Sequence, residues 1–199
     1  MKILIVTKNW LGDILFEIPA IETIARAYPQ AKIVCMGPER CRQILEAHPA
    51  VHRFMGFDEK KEHRSILKKI QFVRELRREK WDRAYLFHRS RTRAFLLMCA
   101  GVKERIGYAA HGKNRFLTHA FPEPVGRMHH RDYFLELLEK SGLEKSSDPA
   151  CRFYFLEKDE KKAKELIAEN HLNSFVCFHL GANWEPKRWP AAHFAKLAD

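Results

Sequence analysis

Along this chain, short unbroken apolar runs of strand length alternate with longer stretches in which apolar residues recur at helical spacing. Lys2–Thr7 reads as a buried strand. A helix follows from about Asp13 to Tyr28, with Pro19 kinking it or marking its effective start. Ala31–Met36 is a second strand closed by Gly37-Pro38, and Glu39–Ala47 a short helix ended by His48-Pro49. Val51–Phe57 is a third strand. Glu62–Lys80 is a long amphipathic helix with Ile66, Ile70, Val73 and Leu76 as its apolar stripe and Lys and Arg elsewhere. The basic run from Arg74 to Arg83 reads as its solvated outer face. Asp82–Phe87 is a fourth strand, Arg93–Ala100 a helix ended by Gly101, and Glu104–Tyr108 a short fifth strand. The stretch 109–127 reads as loop, and His129–Ser141 as a helix closed by Gly142.

Strands that alternate with helices imply a parallel sheet covered on both faces, an α/β doubly wound, Rossmann-like architecture. Leu143–Ala150 is polar and begins a linker. Arg152–Phe155 is extended, Lys158–Asn170 helical, Ser174–His179 a further strand, and Pro190–Asp199 the start of another helix. The organisation expected is a first domain over 1–145, a crossover with a helix over 146–172, and the opening of a second domain over 173–199.

Charge narrows the choice of partners. The net charge is +11, which attracts polyanions such as nucleic acid, acidic lipid headgroups or phosphorylated substrates. Nothing resembles a helix-turn-helix or an aromatic-interleaved RNA motif, so no nucleic-acid partner is expected. The five cysteines form no C-x-x-C pair and read as small buried hydrophobes in a reducing compartment. No signal peptide or membrane-length apolar run is visible, which points to a cytoplasmic protein capable of reversible contact with an acidic membrane face. The eleven histidines form no metal set.

Two charged groups follow apolar runs, where open α/β sheets bind ligands. Asp13 closes a Gly-Asp turn after the first strand. It is either a general base at the mouth of a cleft or a first-turn acid that complements the helix dipole. Gly12 before it permits close backbone approach or an unusual dihedral. Lys187, in Trp184-Glu185-Pro186-Lys187-Arg188-Trp189-Pro190, is either a cation for a diphosphate leaving group or a solvated surface lysine. Arg89, Arg91 and Arg93 after the fourth strand suit carboxylates or phosphates, or form a basic loop with no fixed partner.

The Gly-Asp turn and the closing H-x-G-A…K-R-W-P segment, with Arg105-Ile106-Gly107-Tyr108 and Arg115-Phe116-Leu117-Thr118 between them, resemble the heptosyltransferase family of lipopolysaccharide core synthesis, glycosyltransferase family nine. The resemblance spans essentially the whole chain. It implies the N-terminal half of a two-domain GT-B glycosyltransferase and the start of its nucleotide-sugar domain. It also implies inverting transfer of heptose from ADP-heptose, with no cofactor and no covalent intermediate, to an acidic lipopolysaccharide-core acceptor at the cytoplasmic face of the inner membrane. Asp13 matches the family's proposed base, Lys187 its donor-diphosphate lysine, and Asn183 a phosphate-binding position. Gly12, Arg89, Arg91 and Arg93 are the candidate acceptor contacts. Family members continue past Asp199, so the 199-residue chain by itself is expected to transfer little or no sugar. The competing expectation is a truncated, non-catalytic domain that binds an acidic glycolipid.

Overall fold

A computed structural model describes residues 1–199 except His111, Lys145, Ser147, Asn183 and Asp199. It resolves the chain into two compact units, 1–155 and 156–199.

The first unit is a six-stranded, wholly parallel sheet. Its strands are β1 (Lys2–Val6), β2 (Lys32–Gly37), β3 (Arg53–Gly56), β4 (Arg83–Leu86), β5 (Glu104–Tyr108) and β6 (His119–Phe121), in the order β3-β2-β1-β4-β5-β6. The order reverses between β1 and β4, which creates a crevice beyond their carboxyl ends. The helices are α1 (Leu11–Ala27), α2 (Arg42–Glu46), α3 (Ile66–Glu79), α4 (Arg91–Cys99) and α5 (His130–Lys140). Successive side chains of a strand point to opposite faces. Ile3 and Ile5 therefore pack with Ile14, Ile18 and Ile21 of α1 and Phe134 of α5, while Leu4 and Val6 pack with Phe72 and Leu76 of α3 and Leu97 of α4. Burial on both faces is why these strands read as continuous apolar runs. The doubly wound α/β fold is the one expected.

Residues 148–155 run along this unit. The Tyr154 hydroxyl donates to Glu22 Oε1 at 2.7 Å, and its ring meets His48 edge-on at 4.6 Å. The second unit contains α6 (Glu157–Glu169), a 3-10 turn at Glu185–Lys187, and α7 (Ala191–Ala198), and none of its described residues is buried.

Several sequence readings are corrected. The strand expected at Ser174–His179 is not formed. An extended segment becomes a strand only by pairing, and no described residue of its unit offers it a ladder. The loop expected at 109–127 contains β6, which pairs with β5 from Ile106↔His119 to Tyr108↔Phe121. Helix α1 begins two residues before Asp13 and runs through Pro19. Only Cys35 and Cys41 are buried, while Cys99, Cys151 and Cys177 are exposed. In α3 the inward positions belong to Phe72 and Leu76, with Val73 beside them. At about 100° per residue Ile70 then lies nearly opposite Phe72, and both Ile66 and Ile70 point outward.

Candidate active site

The turn from β1 into α1 sits at the reversal of strand order. Thr7 ends the strand: its N–H and its hydroxyl both donate to the Met36 carbonyl, at 3.0 and 3.2 Å. Neighbouring Gly37 makes this approach possible, since a Cβ there would collide with Thr7 Oγ1. The Lys8 N–H donates to Glu17 Oε1 at 2.7 Å, so a side chain from the second turn of α1 holds the loop. Trp10 caps α1 without a side-chain hydrogen bond. Its first N–H groups point out of the sheet edge, a favourable place for negative charge.

Asp13 lies in this first turn, half-buried, with Oδ1 3.2 Å from His130 Nδ1 at the start of α5. The Phe16 ring packs edge-on against His129 at 4.8 Å and fixes the approach of α5. Gly12 is exposed, with helical rather than left-handed backbone, and a Cβ there would meet nothing within 4 Å. Its contribution is open space beside the carboxylate, not an unusual dihedral.

One turn on, Glu17 is 0% exposed and its Oε2 has no hydrogen-bond partner. Burial pushes its pKa well above the usual carboxylate range, against the pull of the Lys8 N–H.

Cations dominate the opposite wall. Burial, reinforced by Arg89, lowers the pKa of Lys8, whose ammonium lies 5.8 Å from the Tyr133 ring centroid. Arg89 pairs with Glu123 and sits over the same ring at 5.7 Å. The Tyr133 hydroxyl donates to Glu123 Oε1 at 2.6 Å. Lys113 is 1% exposed and donates to the His88 carbonyl at 3.0 Å. Burial, with help from Lys8, lowers its pKa to about 8. His88 is pushed down to about 3 by burial and by Arg93, and is therefore neutral. Lys8, Arg89 and Lys113 thus gather around Glu123, with Asp13 near Lys8, and bias the site toward anions.

The three candidate arginines separate. Arg89 lines the site and Arg91 is exposed at the start of α4. Arg93 is 2% exposed and faces inward. Its guanidinium donates to Glu59 Oε1 at 2.9 Å, the Thr7 carbonyl at 3.0 Å and Asn9 Oδ1 at 2.8 Å. It braces the β1 turn, each of its three guanidinium nitrogens donating to the protein, and borders the neighbouring hollow. Arg93→Met leaves Glu59 without its ion pair and is expected to lower unfolding free energy by about 3 kcal/mol in urea titrations. Beside this brace lies a hollow of about 360 Å³ lined by Asn9, Trp10, Arg40, Lys60, Lys61 and His88. A larger hollow, about 490 Å³, lies at the last turn of α1 beside Arg26 and Leu143, on the opposite sheet edge, away from these charges.

In the second unit, Lys187 is exposed, with its ammonium 5.8 Å from the Trp184 ring centroid. Trp189 packs on His193 and Phe194 of α7 at 5.2 and 4.9 Å, so it anchors the loop to the helix. Asn183 lies outside the described residues. Gly12, Asp13 and Arg89 share one edge of the first unit, while Lys187 belongs to the second. Sequence reasoning marked His88 with the arginines that follow it but missed Lys8, Glu17, Lys113, Tyr133 and His130. An acid inside Ile14-Leu15-Phe16-Glu17-Ile18 was the one available signal, since an apolar helical stretch buries whatever it contains. Among the described residues no three His, Cys, Asp or Glu side chains gather as metal ligands, and no helix is long and apolar enough to cross a membrane.

Comparison with known proteins places this geometry. Residues 69–199 match the profile of Glycosyltransferase family 9 (heptosyltransferase). The lipooligosaccharide heptosyltransferase 2 of Haemophilus ducreyi is 28% identical over 100% of this chain and 60% of its own length. The lipopolysaccharide heptosyltransferase 2 of Escherichia coli is 27% identical over 100% of this chain and 59% of its own. The chain therefore spans about 60% of the length of these curated relatives. The crystal structure of a family 9 glycosyl transferase from Veillonella parvula superposes with a TM-score of 0.87 at 23% identity, covering 100% of this chain and 59% of that one. The fold is that of the N-terminal half of a GT-B protein with the start of the second domain. By profile, relatives and fold together, this chain belongs to glycosyltransferase family 9, the heptosyltransferases.

Proposed function

We propose that residues 1–199 supply the acceptor half, and the opening of the donor half, of an inverting transferase that moves heptose from ADP-heptose to the lipopolysaccharide inner core. The observation that carries this reading is the Asp13 carboxylate at the reversal of strand order, 3.2 Å from His130 and near Lys8, which Arg89 and Lys113 join around Glu123. The cations seat the phosphates and acidic sugars of the acceptor. Asp13 accepts the proton of the acceptor hydroxyl as its oxygen attacks the anomeric carbon. The bond from that carbon to the ADP oxygen breaks in the same displacement, so configuration inverts and no sugar–enzyme bond forms. No cofactor takes part.

Lys187 neutralises the departing diphosphate, with Asn183 as a further phosphate contact. The acceptor is lipid-linked, so the protein works peripherally at the cytoplasmic face of the inner membrane. The test uses a polypeptide that joins residues 1–199 to a complete nucleotide-sugar domain. Lys187→Ala is expected to weaken ADP-heptose affinity about tenfold, measured by donor titration. Unchanged donor affinity removes Lys187 from the mechanism, and failure of the intact polypeptide to transfer from ADP-heptose removes the activity.

A further inference from the structure

We infer that the outward facet of α3 docks the first unit onto an anionic lipid bilayer. Ile66, Leu67 and Ile70 are 75%, 74% and 44% exposed, although they lie on a helix whose other side is firmly in the core. Single exposed aliphatic residues are ordinary, but three adjoining ones on one facet form a patch. At about 100° per residue one outward arc takes Ile66, Leu67, Ile70, Arg74, Arg77 and Arg78, and no acidic residue. Arg64 precedes the helix, and Lys68 lies outside the arc, beyond Glu75. Among the described residues, none of Arg64, Lys68, Arg74, Arg77 and Arg78 forms an ion pair. Glu75 and Glu79 are the acids of this helix; both fall outside the arc, and Glu79 is engaged by Lys2 and Arg53.

The chemistry of the facet selects its occupant. A polyanion in water would satisfy the arginines and leave three aliphatic side chains exposed. A bilayer with acidic headgroups satisfies both: the aliphatic tips enter the acyl boundary while the arginines reach the phosphates. The position agrees. Helix α3 leaves the carboxyl end of β3, so its first turn lies on the same sheet edge as the β1 turn and Asp13. The facet thereby brings the mouth of the site to the membrane in which a lipid-linked acceptor is held. The inference deepens the proposed function by naming its membrane-facing surface, and its test involves no sugar transfer.

The experiment is co-sedimentation of the 199-residue chain with vesicles of phosphatidylethanolamine and phosphatidylglycerol, and with vesicles of phosphatidylcholine alone. The expected result is preferential binding to the anionic vesicles. Ile66→Ser/Leu67→Ser should weaken that binding about tenfold or more, and Arg74→Gln/Arg77→Gln should weaken it and flatten its salt dependence. Both variants change exposed side chains, so far-UV circular dichroism and the thermal midpoint should match the parent. Undiminished binding by the serine variant, or equal binding of the parent to neutral vesicles, overturns the inference. So does a change in oligomeric state with vesicle binding intact, which assigns the facet to a second copy of the chain. A protein that transfers heptose yet ignores vesicles sinks the docking alone. One that docks by this facet yet transfers nothing sinks only the proposed reaction.

Discussion

Asp13→Asn is expected to lower turnover for heptose transfer by about 10²–10⁴-fold while leaving donor affinity within about twofold of the parent. The amide keeps the size of the carboxylate and can still meet His130, so the β1–α1 turn is expected to hold its shape. What it loses is the ability to take a proton from the acceptor hydroxyl. The structural cost is limited to a first-turn charge on α1, about 0.5 kcal/mol. A large fall in turnover with unaltered stability is therefore the signature of a base. Unchanged turnover would make Asp13 a helix-end acid and nothing more. The assay is steady-state transfer with the donor titrated separately, on the same joined polypeptide that tests Lys187.

The buried neighbour sharpens this expectation. Asp13 and Glu17 are four residues apart on one helix face, and they differ in surroundings rather than chemistry. Glu17 is enclosed with one oxygen unpartnered, and burial raises its pKa; Asp13 opens to the site. Glu17 holds the Lys8 N–H in place, while the Asp13 carboxylate is positioned for the reaction.

Strands β1 and β2 were legible because each is buried on both faces and so carries a nearly unbroken apolar run, and β3 to β5 because short apolar stretches recur between helical ones. Strand β6 was not, because His119-Ala120-Phe121 is three residues long and mostly exposed, and no pattern marks an edge that short. Phe175-Val176-Cys177-Phe178 fails in the opposite sense: the letters suit a strand, but pairing is a property of neighbours and not of letters. In α3 the apolar stripe had two solutions at helical spacing, and the larger side chain, Phe72, took the inside.

The site divides in the same way. Asp13 and Gly12 were readable because the Gly-Asp turn follows directly on a strong strand. The burial of Arg93 could not be read, because charge suggests solvent and only the fold reveals that Glu59, Thr7 and Asn9 converge on it. Lys113 could not be read at all. Its partner, the His88 carbonyl, is 25 residues away in a loop, and nothing local marks the contact.

Lys113→Met is the complementary prediction, because it should stabilise the fold while weakening the site. Folded Lys113 releases its proton near pH 8, whereas an unfolded lysine holds it to about 10.4. Between those values the unfolded chain binds the extra proton, so this residue makes stability rise with pH, by roughly 3 kcal/mol across the window. Below pH 8 the folded protein carries the full penalty of a buried ammonium with a single hydrogen bond. The methionine variant, of similar length and uncharged, removes that penalty and strands only the His88 carbonyl. It is expected to be more stable than the parent by about 1–2 kcal/mol at pH 7, with the advantage shrinking to zero or below by pH 10.5. Urea titrations of both proteins across that range isolate the residue, since every other titrating group is common to the pair. An advantage that does not change with pH would mean that Lys113 is not a strained cation. If the advantage does close, binding of a phosphorylated acceptor should fall several-fold in the same variant, because the charge that destabilises the edge is the charge that attracts the ligand.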